Sequence, residues 1–114
     1  MAVIGKKRPH IRKDHRQTEP VLRLTIANKA FETIDWGFGG FRLRGVNGKI
    51  KHGDEITVTR ITPPGTNGTP VNVKVSVIRY NPVKKELSCE IPVLGEKAYE
   101  IFESILMRRY QDQS

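Results

Sequence analysis

The residues best suited to hold something charged are two arginines four positions apart, Arg12 and Arg16, and an aspartate beside three glycines in "DWGFGG", residues 35 to 40. An arginine guanidinium is a planar fork. It pairs two-pronged with a phosphate or with the O6 and N7 acceptors of guanine, and it stacks on a flat base. An ionised aspartate only accepts hydrogen bonds, which suits Asp35 to the N1–H and N2–H₂ donors on guanine's Watson–Crick edge. Glycines such as Gly37 and Gly40 let a base or phosphate approach the main chain with no Cβ in the way. Arginine and aspartate together can therefore read opposite edges of one guanine. Each signal alone is weak: "RPHIR" gives a second, overlapping copy of the arginine spacing through Arg8, and a D-x-G-x-x-G turn is more often a plain hairpin.

The charge distribution favours an anionic partner. Of the net charge of +8, residues 1 to 16 supply +5, from Lys6, Lys7, Arg8, Arg12, Lys13 and Arg16 against Asp14. A basic arm on a nearly balanced body suits nucleic acid, a nucleotide or an acidic membrane, and the plain alternative is a solvated tail. No enzyme is expected. Two of the three histidines, His10 and His15, lie in the arm, and no His and Cys pair has metal-ligand spacing. "GFGGFR" puts arginine where a dinucleotide loop needs its third glycine and leads into a strand rather than a helix. The one cysteine, Cys89, cannot form an internal disulfide and alternates with Leu87 and Ile91 as a buried thiol would. The N-terminus turns basic at Lys6 with no apolar core, so a secretion signal is not expected, and no apolar run approaches the ~18 residues of a membrane span. These readings predict a cytoplasmic protein without catalytic residues, metal or cofactor.

The elements that must position these residues follow from the apolar periods. Residues 1–19 lack a repeating apolar pattern and read as a flexible basic arm. Residues 20–94 alternate with a period of two in "VLRLTI", "FETID", "FRLR", "EITVTRI", "VNVKVSVIRY" and "ELSCEIPV", six strands separated by Gly-, Pro- and Asn-rich turns. In 95–110 the period changes: Ala98, Ile101, Phe102, Ile105 and Leu106 make one helical face, with Glu96 near the start and Arg108 and Arg109 near the end. One mainly β domain is predicted, a six-stranded antiparallel barrel capped or flanked by a C-terminal helix.

The order of arginine pair, strand pair and D-x-G-x-x-G turn resembles the PilZ domain family, whose pattern is an R-x-x-x-R arm followed by [D/N]-x-S-x-x-G. Arg12 and Arg16 fill the arm positions, and Asp35, Gly37 and Gly40 fill the turn positions. The resemblance covers nearly the whole chain. It implies a bacterial receptor for the second messenger cyclic di-GMP, whose arm closes over the ligand and changes the surface shown to a downstream protein in motility, exopolysaccharide production or surface attachment. It also implies that Arg12 and Arg16 hold guanine and phosphate, that Asp35 holds a guanine edge, and that Gly40 allows the close turn, with Arg8 within reach. Many relatives carry another arginine, which in the family favours a stacked pair of ligands, where Ile11 stands here, so the resemblance implies one ligand per chain. Gly37 stands where the family has serine, a loss of one hydrogen bond worth about 0.5–1.5 kcal/mol. That departure keeps a second reading open, a PilZ-like adaptor that binds no nucleotide and acts through protein contacts. A third, a small barrel binding single-stranded nucleic acid, needs stacking aromatics on a sheet face. Only Trp36 and Phe38 flank the turn, so nucleic acid is not the expected partner.

Overall fold

The computed structural model describes residues 16–113, with side chains through Arg108. Six strands form in chain order: β1 (Arg23–Ile26), β2 (Lys29–Gly37), β3 (Gly40–Arg44), β4 (Glu55–Thr62), β5 (Thr69–Asn81) and β6 (Glu86–Glu90), followed by one helix, α1 (Glu96–Gln113). Every neighbouring pair is antiparallel, and the order β1-β2-β3-β6-β5-β4 closes on itself through β1 and β4. Closure leaves no sheet edge unpaired, which is how a small β protein avoids edge-to-edge association.

The alternation read from the sequence is the alternation of burial. Leu22 and Leu24, Phe41 and Leu43, Val73, Val75 and Val77, and Leu87 and Cys89 all point into one core. The β1–β2 hairpin turns on Ala27 and Asn28, both with positive φ (51° and 68°), as a two-residue turn of the type that matches strand twist. The β2–β3 turn is equally short, with only Phe38 and Gly39 between the strands. The helix covers the barrel through its predicted face: Ala98, Phe102 and Ile105 are buried, and the Phe102 ring lies 5.0 Å from that of Trp36. No helix among the described residues is long and apolar enough to cross a membrane.

Most element ends differ from the sequence reading by one or two residues, and two differ by three. β6 ends at Glu90, although Ile91 remains buried and its amide donates to Gly39 O at 2.9 Å. Pro92, which has no amide proton to give the ladder, follows at once. The helix runs past Tyr110 to Gln113, because "QDQ" holds neither glycine nor proline to stop it. Its last turn therefore carries no basic residue, and only the N-terminal half of the expected dipole match is present, through Glu96.

Candidate functional site

A β-bulge places Asp35. On β2, Thr33 pairs with Leu43 and Asp35 with Arg42, so Ile34 is the extra residue between two partners adjacent on β3. Side chains two apart on a regular strand share a face, and one inserted residue reverses that relation. Thr33 accordingly points inward, fully buried, its Oγ1 accepting from the Leu22 amide at 3.0 Å. Asp35 turns to the outer wall beside Arg42, and Trp36 enters the core opposite Phe41. Asp35 thus sits on the strand, as the alternation of "FETID" predicts, three residues before Phe38 of the turn to which its motif belongs.

Although outward-facing, Asp35 is only 7% exposed, because two arginines close over it. Arg16 Nη1 donates to Oδ1 at 2.9 Å, while Arg42 donates to Oδ2 from Nε at 2.8 Å and from Nη2 at 2.7 Å. The hydrogen bond to Asp35 is the main reason that the Arg42 guanidinium is held above its ordinary pKa, against the opposing effect of burial. Arg16 arrives at this point because the residues after it lie along β2. Gln17 exchanges backbone hydrogen bonds with Trp36 at 2.8 and 3.0 Å, and the Trp36 indole N–H donates to Pro20 O at 2.9 Å. The end of the expected flexible arm, residues 16 to 19, is therefore fastened to the barrel together with Pro20, by main-chain groups that no side-chain pattern announces.

Gly40 has a different role from the one its motif position implied. It is not among the positive-φ glycines of the described residues. Its constraint is space: a Cβ here would collide with the Cys89 carbonyl, and it would come within 3.0 Å of Arg16 Nη2 and 3.2 Å of Glu90 Cα. The bare backbone of β3 lets β6 and the Arg16 guanidinium approach it from two sides. Gly37 ends β2, buried and paired with Gly40, and it too lacks a positive φ. Between them Phe38 stacks on Tyr99 of the helix, with centroids 4.9 Å apart and planes 18° apart, and it lies 6.2 Å from Phe102. Trp36 is wholly buried and Phe38 is committed to the helix, so neither ring is an open platform for a stacked base.

Of the residues singled out by sequence, the structure gathers Arg16, Asp35, Gly37 and Gly40 in one place. Arg12 and Arg8 lie outside the described residues. Arg42 was not foreseen: in "FRLR" it reads as an ordinary outward residue, and only the register after the bulge sets it against Asp35. On the opposite side of β6, Cys89 is fully buried, and burial pushes its thiol up to about 12. No protein-family model and no curated protein matches this chain.

Proposed function

We propose that the chain is a cytoplasmic cyclic di-GMP receptor of the PilZ type, which alters its surface on ligand binding to regulate a partner protein. The observation that carries this reading is the Arg16–Asp35 pair. The arm motif and the strand motif lie 19 residues apart, yet their polar groups meet at 2.9 Å on the outer wall of the barrel. The pair also suggests how a ligand would act. A guanidinium has five N–H donors; among the described residues Arg16 spends one on Asp35 and Arg42 spends two, which leaves the others for phosphate or guanine. Asp35 already accepts three hydrogen bonds out of about four sites. Gripping both donors of a guanine edge requires it to give up an arginine, and Arg16, with its single bond, is the one held least. Ligand binding then exchanges an internal ion pair for one with the nucleotide and re-aims Arg16.

The same saturation of Asp35, with Gly37 in place of the family serine, favours the second reading, an adaptor whose arginines serve only to hold the N-terminal segment down. Calorimetric titration separates the two, with cyclic di-GMP as ligand and GTP and cyclic AMP as controls. Selective binding that falls by about tenfold or more in Arg16→Ala supports the receptor, since charge-assisted hydrogen bonds are worth about 1.5–3 kcal/mol. Absence of binding in the folded wild-type chain selects the adaptor.

A further inference from the structure

The outer wall carries a second feature that the two motifs do not account for. Four residues stand side by side on adjacent strands: Asp35 on β2 pairs with Arg42 on β3, Arg42 with Ser88 on β6, and Ser88 with Arg79 on β5. Their chain neighbours Phe41, Leu43, Leu87 and Cys89 fill the core, so this row faces outward. The β5–β6 hairpin rises at its far end. There Asn81 Oδ1 accepts from the amides of Val83 and Lys84, each at 3.0 Å, a local turn that fixes the backbone carrying Lys84. Arg42, Arg79, Asn81, Lys84, Glu86 and Ser88 together line a cleft of about 290 Å³.

Two of the three cations lining this cleft are unspent. Arg79 and Lys84 are exposed, and among the described residues neither side chain makes a hydrogen bond or ion pair. Arg42, oriented by Asp35, keeps three N–H donors. Across the row and the cleft, the four cations Arg16, Arg42, Arg79 and Lys84 face the two carboxylates Asp35 and Glu86, a surplus of two positive charges. A cyclic dinucleotide carries two phosphodiester charges. Strands lie about 4.8 Å apart, so three spacings from Asp35 to Arg79 span roughly 14 Å, more than one phosphate group covers.

We infer that the cleft between β3, β5, β6 and the Asn81 turn is a phosphate-ester subsite. Arg79 and Lys84 hold a phosphodiester there, with the Ser88 hydroxyl and the remaining Arg42 donors as its other partners, and the Asp35–Arg16 end of the row takes a base. Glu86 in the wall sets the charge class: two singly charged phosphodiesters match the surplus of two, and a triphosphate exceeds it. The phosphate chemistry rests on the cleft itself, while the identity of the ligand rests on the receptor reading above.

The double variant Arg79→Ala/Lys84→Ala removes two exposed side chains, and its melting temperature should match wild type. Titrated with cyclic di-GMP at about 50 and about 200 mM salt, it should bind about tenfold or more weakly and show a flatter salt dependence, by up to two phosphate contacts. Unchanged affinity and salt slope would overturn the subsite and leave the receptor reading intact. Should wild type not bind cyclic di-GMP, the receptor reading fails by itself, and dimethyl phosphate, a singly charged phosphodiester, becomes the probe. Amide shifts at Lys84 and Ser88 that vanish in the double variant then support the cleft as an anion site, and their absence from wild type overturns it.

Discussion

Replacing Gly40 with alanine tests the claim that close approach, and not turn flexibility, fixes this glycine. The new Cβ meets a backbone carbonyl, that of Cys89, and backbone cannot swing aside as a long side chain can. Relief requires β3 and β6 to part at the Gly40–Glu90 pair, or the chain to twist there, while the Arg16 guanidinium at 3.0 Å is displaced. Overpacking of this kind costs about 1–3 kcal/mol. For a domain of this size each kcal/mol moves the melting temperature by roughly 4–8 °C, so Gly40→Ala should melt roughly 5–20 °C below wild type. Calorimetric melting gives the stability, and the side-chain NMR signal of Arg16 gives the local effect, which should shift toward that of a solvated arginine. A variant that melts with wild type and leaves the Arg16 signal in place would refute the steric argument, and with it the view that β3 is kept bare so that the arginine can lie against it.

Gly37→Ser adds no left-handed backbone strain, because Gly37 needs no positive φ, and should tighten cyclic di-GMP binding by up to about tenfold; weaker binding in a variant that melts with wild type would show that the family's serine has no counterpart here. A double-mutant cycle of Asp35→Ala and Arg42→Ala, read by urea denaturation, should give a coupling energy of about 1 kcal/mol, the two-pronged bond being discounted because Arg42 is 43% exposed, and no coupling would contradict that geometry. For Cys89 the folded thiol titrates about 12 against 9.0 for an ordinary one, so the unfolded chain loses its proton first and stability must fall as pH rises above 9. Over one pH unit within that window the wild type should lose up to about 1.4 kcal/mol more than Cys89→Ala, and equal slopes in the two proteins would contradict the burial.

How much of this was legible in the sequence depends on whether a feature is local. The strands and the helix were, because a period of two in "VNVKVSV" and spacings of three and four in "AYEIFESIL" record one buried face each. Within runs of this kind the inward residues, among them Leu24, Val75 and Phe102, follow from the periods alone. Features set by pairing across the barrel were not. Nothing in "FETIDWG" marks Ile34 as the inserted residue, and without that insertion the face of Asp35 is undefined. The Arg42–Asp35 bond requires the β2–β3 register, and the row on to Arg79 requires two further ladders and a second bulge between Val77 and Arg79. The fastening of residues 16 to 20 rests on the main chain of Gln17 and Pro20, and every residue carries a carbonyl and all but proline an amide proton, so composition cannot report it.

The bulge at Ile34 joins the fold and the site to one cause. It decides which of two consecutive residues takes which face of the strand, Trp36 into the core against Phe102 and Asp35 outward to Arg16 and Arg42. The segment after Arg16 is held by both residues at once, through the Gln17–Trp36 backbone pair and the indole bond to Pro20 on the core side, and through the ion pair on the outer side. These holds differ in kind. The backbone pair and the indole bond belong to a residue with no exposed surface, and a ligand on the outer wall cannot reach them. The ion pair is open to exchange, since the Arg16 side chain is 31% exposed. A nucleotide that competes for Asp35 would therefore release the arginine without unseating Gln17, and the barrel would answer the ligand while keeping its own packing.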